Sequence, residues 1–292
     1  MSFQVQQPDL EEIAAYCLLW QERDMGPRKT SELTLRFQSA LEAWRALAAS
    51  AGHTSRTTSS LKEFQARLRA VSDPWEVIDW HSPDYPQVLK YIKHPPPFLF
   101  LQGDVSLLAA PNVAIVGTRN PSREGILRAR RLSKALCTAQ ISVASGLAQG
   151  IDTAAHAAAL EFGGKTIAVI GTSLRECYPP ANRLLQDRIK SEGLVVSQFP
   201  FFSRGHNSNF VERNRVMAAI SDATVVIEAG ETSGVVYQVK FCLEVQKPLF
   251  LARSLVQTGH AWIEDALQRG ARVLEQPEQV IEAVRTSGPH DA

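Results

Sequence analysis

Short apolar runs, separated by segments long enough for a helix, fill the last two thirds of this chain. Six runs of three to five residues occupy positions 113–116, 141–144, 166–170, 194–196, 224–227 and 248–251. They are rich in β-branched residues and almost free of polar ones, which is typical of strands buried on both faces. Because parallel neighbours of this kind need helical crossovers, we predict an α/β fold, namely an extended Rossmann-like, mostly parallel sheet with helices on both faces.

The N-terminal part of the chain has a helical pattern instead. Leu10, Ile13, Ala14, Cys17 and Leu18 recur every three to four positions, which predicts one buried helix face. A Gly-Pro pair then restarts a helix, and a Ser- and Thr-rich stretch over residues 52–60 predicts a loop.

Proline-rich segments predict where one domain ends and the next begins. Residues 81–86 and the three prolines at 95–97 cannot lie in a helix interior. We therefore predict a small all-helical domain over residues 1–80, the sheet domain over 81–285 and a disordered tail over 286–292.

Composition excludes several classes of protein. The chain has 31 Lys and Arg against 30 Asp and Glu, a formal net charge of +1, so any affinity for phosphates must come from a local patch. The four cysteines form no CxxC pair and are expected to be free thiols. Without a basic and apolar leader or a spanning apolar run, we expect a cytoplasmic protein without membrane contact. No cluster has metal-ligand spacing, and we expect neither a metal nor a cofactor.

Ligands of such a sheet bind at the carboxyl ends of the strands, so the residues after each run are the candidate site. The first run leads into Gly117, Thr118 and Arg119, ahead of a helix that carries four further arginines. The glycine admits close backbone approach, the helix N-terminus offers N–H donors, and Arg119 offers a forked cation. The alternative is a plain strand-to-helix turn with solvated arginines.

The second run leads into Ser145, Gly146 and Gly150, where two glycines four residues apart could wrap an anion. No G-x-G-x-x-G follows the first strand and no acidic residue ends the second, so ordinary NAD binding is disfavoured. Asp152 and His156 share one helix face. They are either a general acid and base or, as we favour, structural groups near the start of a helix.

Later strand ends add a cysteine, arginines and aromatic residues. Cys177 has no identifiable base beside it, so we interpret it as structural. Asn182 is a plausible helix cap and Arg183 a plausible contact to a nucleic-acid strand. The loop over 199–207 mixes aromatics with cations, a composition that stacks bases, although its aromatics could equally belong to the core.

Arginines concentrate in two positive islands of this neutral chain, residues 117–131 and residues 183–215. The second island includes Arg213, Asn214 and Arg215, and we expect the two islands to share one groove that holds phosphates.

The fifth run ends at Glu228, and Glu231, Ser233 and Gly234 follow in a glycine-lined turn. The two carboxylates could perform acid and base chemistry at a glycosidic bond, or they could orient an arginine by ion pairing.

These motifs resemble those of the DNA-processing protein A (DprA, or Smf) family over roughly residues 84–284. The resemblance rests on Asp-Tyr-Pro at 84–86, Gly-Thr-Arg at 117–119, Ser-Gly-Leu-Ala-Gln-Gly-Ile-Asp at 145–152 and Arg-Asn-Arg at 213–215. It implies an extended Rossmann fold that binds single-stranded DNA through these motifs, dimerises and helps to load RecA recombinase during natural transformation. The N-terminal segment looks like the helical, SAM-like module of that family.

Three features depart from the family pattern. The family commonly reads Ser-Gly-Ser-Leu-Ile-Thr-Ala after the fifth strand, where this chain has Ser-Gly-Val-Val-Tyr-Gln-Val at 233–239. The usual Val-Pro-Gly after the sixth strand is Ala-Arg-Ser at 252–254. The chain ends soon after Val284, so we expect a divergent member without the C-terminal winged-helix domain found in many members.

The sequence thus predicts a non-enzymatic, single-stranded DNA-binding protein. The candidate phosphate contacts are Gly117, Thr118, Arg119, Ser145, Gly146, Gly150, Arg183, Arg213, Asn214, Arg215, Ser233 and Gly234. The alternative is a nucleotide-binding sensor or a nucleotide-hydrolysing enzyme of the phosphoribohydrolase type. The Pro-Gly-Gly-x-Gly-Thr motif of that enzyme class is not supplied by residues 228–233.

Overall fold

The structure, a computed structural model, describes residues 7–22, 25–50, 54–203 and 205–286. Its first helices are α1 Leu10–Leu19, α2 Pro27–Phe37, α3 Ala40–Ser50 and α4 Thr54–Arg69. The loop predicted over 52–60 is wrong from Thr54 onward, where α4 begins. Ser and Thr have only weak local preferences, and burial of Leu61, Phe64 and Leu68 further along α4 outweighs them. Residues 52 and 53 lie outside the described residues.

The strands follow the predicted runs closely and form one sheet. They are β1 Glu76–Asp79, β2 Phe98–Gly103, β3 Asn112–Val116, β4 Ser142–Ser145, β5 Thr166–Val169, β6 Leu194–Ser197, β7 Ala223–Val226, β8 Leu249–Ala252 and β9 Arg272–Leu274. Their order is β1-β2-β6-β5-β4-β3-β7-β8-β9. Only the pairs β1–β2 and β2–β6 are antiparallel, so the predicted mostly parallel sheet is confirmed.

Two of the strands that the sequence did not predict lie beside the proline-rich connectors. β1 and β2 pair antiparallel, with Glu76 opposite Leu101 and Asp79 opposite Phe98. The sheet therefore begins before the predicted domain boundary at residue 81. The third unpredicted strand, β9, is only three residues long.

Helices cover both faces of the sheet, as predicted. They are α5 Arg123–Thr138, α6 Ile151–Glu161, α7 Arg183–Glu192, α8 Asn207–Ile220, α9 Val235–Glu244, α10 Arg253–Val256, α11 Ala261–Gln268 and α12 Pro277–Thr286. In β3, Val113 and Ile115 pack with α5 and α6, whereas Ala114 and Val116 pack with α8 and α9. This alternation follows from the two-residue repeat of a strand. Thr286 ends α12, and the rest of the predicted tail lies outside the described residues.

The helices α1 to α4 pack against the sheet at its β2 and β6 end. Tyr16 of α1 lies 4.5 Å from Phe98 and 6.3 Å from Phe100, measured between ring centroids. Phe201, in the segment after β6, packs on Trp75 and Phe100 in the same hydrophobic cluster. The segment between β6 and α8 therefore lies between the helices of the N-terminal part and the sheet.

The strand order places a topological switch point between β3 and β7. From β3 the chain proceeds outward through β4, β5 and β6, and α8 then returns it to β7 on the other side of β3. The last residues of the two strands, Val116 and Val226, are paired. Sheets of this type bind ligands at the carboxyl ends of the strands beside the switch point. No helix within the described ranges is long and apolar enough to cross a membrane.

Candidate functional site

A cleft of about 630 Å³ opens at the switch point, between the turns that follow β3, β4 and β7 and the N-terminal halves of α8 and α9. Seven of the twelve predicted contacts line it. They are Gly117, Thr118, Arg119, Arg213, Asn214, Ser233 and Gly234. Arg119 and Arg213 therefore lie in one groove.

Glycines let the turns after β3 and β4 approach each other. A Cβ on Gly117 would lie 2.5 Å from Ile151 Cγ1 and 3.0 Å from the Glu228 carbonyl oxygen. Gly150 has a φ of +89° and contacts the Thr118 carbonyl so closely that a Cβ would collide with it. The Thr118 N–H donates to the Glu228 carbonyl at 2.7 Å. Both glycines let neighbouring turns pack closely, and Gly117 lines the cleft whereas Gly150 does not.

Arg119 is the cation that the cleft offers to a ligand. Its side chain is exposed, and its guanidinium forms no hydrogen bond or ion pair with any described residue. The guanidinium carbon lies 5.9 Å from the centroid of the Phe210 ring. The charged residues lining the cleft are Arg119, Arg213 and Asp152, which leaves one net positive charge.

Arg213 lines the same cleft but uses its donors inside the protein. It is 6% exposed. Its Nη1 donates to the carbonyls of Gly146 and, at 2.5 Å, Val169, and its Nε donates to Asn214 Oδ1 at 2.9 Å. Burial lowers the pKa of Arg213 to about 10, and nearby Asp152 partly opposes that shift. Arg213, which the sequence predicted as a phosphate contact, thus links the ends of β4 and β5 to α8 through its buried guanidinium.

Asp152 and His156 are structural, the interpretation that the sequence favoured. Asp152 Oδ2 accepts from the Gly146 and Ala148 N–H groups at 3.1 and 3.3 Å, and burial raises its pKa although Arg213 lowers it. His156 is fully buried, which lowers its pKa to about 3. Thr166 Oγ1 donates to the Val143 carbonyl, so the His156 Nδ1–H donates to Thr166 Oγ1, at 2.6 Å.

Several predicted contacts do not reach the cleft surface. The buried Ser145 hydroxyl donates to the Ile115 carbonyl at 2.6 Å, because it lies within the sheet. Gly146 is covered by the Arg213 guanidinium, with which a Cβ would collide. Arg183 is exposed at the start of α7, outside the cleft.

Arg215 lies on a different face of α8 from Arg213, because two residues advance an α-helix by more than half a turn. It pairs with Glu212 at 3.6 Å and Glu244 at 3.4 Å, and it stacks 4.0 Å from the Phe241 centroid. Arg215 therefore lies outside the cleft, and its contact with a ligand stays a prediction.

Glu228 occupies the N-terminus of α5, where the sequence predicted free N–H donors. Its carboxylate accepts from the Ser122 N–H at 2.9 Å and from the Ser122 hydroxyl, and it lies 3.5 Å from Arg128 Nη1. The Ser122 hydroxyl oxygen in turn accepts from the Gly125 N–H. An internal anion thus fills the position that phosphates commonly take at such a helix. Glu231 pairs with His260 at 2.9 Å, so neither carboxylate orients Arg213 or Arg215.

Ion pairs neutralise part of each positive island. Arg130 pairs with Glu161, Arg188 with Glu192, and Lys190 with Asp187 and Asp73. Arg204 lies outside the described residues. Sequence order alone could not reveal the pairs of Arg130 with Glu161 and of Lys190 with Asp73, because these partners come from other elements, whereas the two pairs within α7 follow helical spacing.

The aromatic residues of the 199–207 loop are mostly core. Phe199 and Phe201 are fully buried, because this segment fills the space between the sheet and the N-terminal helices.

The cleft instead has aromatic residues that were not predicted as contacts: Tyr178, Phe210 and Tyr237. Half of each tyrosine side chain is exposed, and Tyr178 lies 5.2 Å from Phe210 between ring centroids. Their shared location could have been inferred only by placing the β5–α7 loop, α8 and α9 at one edge of the sheet.

Two other predictions concern the β5–α7 loop. The Cys177 thiol donates to the Pro179 carbonyl at 3.3 Å, and burial raises the pKa of that thiol, which agrees with a structural cysteine. Asn182 precedes α7 as predicted, but its side-chain amide donates to the Leu147 carbonyl and to Thr153 Oγ1, both at 2.9 Å, rather than capping the helix. It therefore links this loop to the turn after β4.

The fold and the cleft define a Rossmann-like protein whose switch-point site combines one free guanidinium with aromatic side chains. Among the described residues, no group of three or more His, Cys, Asp or Glu could hold a metal ion.

Comparison with known proteins identifies the family. The sequence profile described as DNA recombination-mediator protein A matches residues 76–285, and the chain belongs to that family. Protein Smf of Synechocystis is 34% identical over 285 residues, which cover 91% of this chain and 71% of that relative.

Two solved structures agree with this assignment. DNA processing protein A of Streptococcus pneumoniae superposes with a TM-score of 0.73 at 27% identity, over 95% of this chain and 98% of that one. DNA processing protein A of Helicobacter pylori superposes with a TM-score of 0.64 at 26% identity, over 74% of this chain and 98% of that one. That structure was reported for its single-stranded DNA binding mode.

Proposed function

We propose that this protein binds single-stranded DNA in the switch-point cleft, with a phosphate at Arg119 and unpaired bases against the aromatic side chains. The observation that carries the proposal is the exposed, unpaired guanidinium of Arg119 beside Phe210. Cations next to aromatic rings are what single-strand sites use, because every base has a π-face and every linkage a phosphate. The single-stranded DNA binding mode described for the Helicobacter pylori relative supports the same assignment.

Nine of the twelve predicted contacts divide into two groups under this proposal, whereas Ser145, Arg183 and Arg215 do not line the cleft. Gly117, Thr118, Asn214, Ser233 and Gly234 remain candidate contacts with the strand beside Arg119. Gly146, Gly150 and Arg213 hold the surrounding turns in place.

Binding of a fluorescent single-stranded oligonucleotide of about ten nucleotides, followed by anisotropy, tests the proposal. Arg119→Ala removes a charge-assisted phosphate contact and should weaken binding by about ten- to hundredfold. Arg123→Ala is the matched control, because Arg123 is also exposed, lies outside the cleft and has no ion pair with a described residue. Equal affinities of the two variants would exclude the cleft as the binding site.

We also propose that the protein is not an enzyme. The candidate acid and base His156 is fully buried and bonded to Thr166, and Glu228 is engaged at the start of α5. The helix terminus that would take a nucleotide phosphate is also filled, which disfavours both the sensor and the phosphoribohydrolase alternatives. Release of free base from nucleoside monophosphates would contradict the proposal, and calorimetry against a panel of nucleotides tests the sensor alternative.

The family further suggests a dimer that helps to load RecA recombinase on the bound strand during natural transformation, in the cytoplasm. We propose this role on the strength of family membership. Sedimentation equilibrium tests dimerisation, and co-precipitation with purified RecA tests the partner. We also propose that the N-terminal helices and the sheet form two separate domains.

A further inference from the structure

A second cavity, of about 950 Å³, lies between the N-terminal helices and the loop that joins β6 to α8. Its lining includes Trp20 and Arg67 from the helices and Phe202, His206 and Asn209 from the loop and α8. The first turn of α8 separates this cavity from the switch-point cleft. Asn207 and Phe210 line the cleft, whereas Ser208 and Asn209 line the second cavity.

Two arginines stack on Phe202, which lines this second cavity. Arg67 lines the cavity too, whereas Arg175 contacts Phe202 from the loop after β5. The guanidinium carbons of Arg67 and Arg175 lie 4.1 and 4.7 Å from the centroid of the Phe202 ring. Neither arginine has an ion pair with a carboxylate in the described part of the chain. Phe202 has a φ of +66°, in the left-handed region that residues other than glycine rarely adopt. Residues in this region cluster at ligand-binding sites, although five other non-glycine residues of the described chain share it.

A buried donor in the same cavity lacks a partner. Asn209 is 2% exposed, and its Nδ2 has no hydrogen-bond partner. A buried amide without a partner costs free energy unless a ligand or water satisfies it. The exposed Glu176 lies close to this loop, since its Oε2 would lie 3.6 Å from a Cβ on Gly205. The donors of this region are the guanidinium groups of Arg67 and Arg175 and the amide of Asn209, with Glu176 as an exposed carboxylate nearby.

We propose that this second cavity binds a further phosphate of the same DNA strand that occupies the cleft, against Arg67, Arg175 and Asn209. The inference rests on the proposed function. A strand leaving the cleft crosses the first turn of α8, about one helix diameter or 10 Å, to reach the cavity. The N-terminal helices, through Arg67, then belong to the single-strand binding surface.

The test compares oligonucleotides of about four and about sixteen nucleotides, the shorter intended to fill the cleft alone. The double variant Arg67→Gln, Arg175→Gln should bind the longer oligonucleotide about tenfold more weakly than the parent. The decrease of log affinity with log salt should also become shallower by about 0.7, since one phosphate is no longer neutralised. Binding of the shorter oligonucleotide should not change.

The matched control is Arg36→Gln, Arg69→Gln, which removes the same charge from exposed positions of α2 and α4 that do not line the cavity. Because Arg67 packs on Phe64 and Phe202, Arg175→Glu alone serves as a second variant, at an exposed loop position. It should weaken binding of the longer oligonucleotide at least as much.

If the parent binds both oligonucleotides and neither variant weakens binding of the longer one, the second site is wrong while the proposed function stands. A parent that binds neither oligonucleotide would overturn both. An equal loss in the Arg36, Arg69 control would attribute the effect to net charge and would also overturn the second site.

Discussion

Arg119 and Arg213 line one cleft, but their surroundings leave Arg119 free for a ligand and engage Arg213 in the protein interior. Arg119 leaves its guanidinium exposed, whereas that of Arg213 is buried against the carbonyls of Gly146 and Val169. The sequence could predict that both arginines belong to one edge of the sheet. It could not predict which would face a ligand, because that depends on carbonyl acceptors brought in by β4 and β5.

Arg213→Ala should therefore destabilise the protein rather than only weaken DNA binding. The change leaves buried Asp152 without its cation and two strand-end carbonyls without a donor. Breaking a buried pair of this kind costs about 3 to 5 kcal/mol. Urea unfolding followed by circular dichroism measures the loss, and Arg119→Ala should stay within about 0.5 kcal/mol of the parent. An unfolding midpoint for Arg213→Ala equal to that of the parent would refute the structural role.

His156 should make the protein less stable as the pH falls. Burial lowers the pKa of His156 to about 3, while an unfolded histidine has a pKa of 6.5. Below pH 6.5 the unfolded chain therefore binds a proton that the folded chain does not, and this group removes about 1.4 kcal/mol of stability per pH unit until about pH 3. The raised pKa of Asp152 acts in the opposite direction above its ordinary value, so the comparison must be made against a variant.

The variant His156→Asn isolates this effect, since an amide can donate to Thr166 but does not titrate near pH 6. Urea unfolding at pH 8 and pH 5 should show a smaller loss for the variant than for the parent, by about 2 kcal/mol. The same loss in both proteins would mean that His156 is protonated in the folded state.

At the scale of elements, the spacing of apolar residues predicted the buried strands and the helices between them. The six apolar runs became strands because their Val and Ile side chains are buried on both faces, as Val113 and Ala114 show on opposite sides of β3. Strands β1 and β2 were missed because prolines surround them, and α4 was predicted to begin too late because its Ser and Thr residues suggested a turn. In β1, β2 and the start of α4, tertiary packing outweighed the local sequence signal.

The start of α5 makes a second prediction at this scale. Glu228 accepts from the Ser122 N–H and hydroxyl and also faces the positive end of the helix dipole. Glu228→Gln removes the charge and should lower the free energy of unfolding by about 1 kcal/mol. Binding of single-stranded DNA should not weaken, because no phosphate is expected at this helix terminus. A marked loss of binding at unchanged stability would instead place Glu228 at the ligand.

At the scale of the whole molecule, the strand order determines where the cleft lies, and ion pairing determines which arginines remain free to bind a phosphate. Alternating strands and helices predicted a site at the carboxyl ends of the strands, but only the strand order in the structure places the switch point between β3 and β7. The two positive islands could not be translated into a binding track, because Arg130, Arg188 and Arg215 each pair with glutamates. Among the described arginines without an ion pair, Arg119 is the one that lines the cleft with its guanidinium exposed.

The most direct test of this account is the salt dependence of DNA binding by the parent and by Arg119→Gln, with a single-stranded oligonucleotide and a duplex of the same sequence. If Arg119 neutralises one phosphate, log affinity for the single strand should fall with log salt more steeply in the parent than in the variant, by about 0.7. The duplex should bind more weakly than the single strand at every salt concentration, because Tyr178, Phe210 and Tyr237 can stack only on unpaired bases. Identical slopes for the two proteins, or equal affinity for the duplex, would contradict single-strand binding in the cleft.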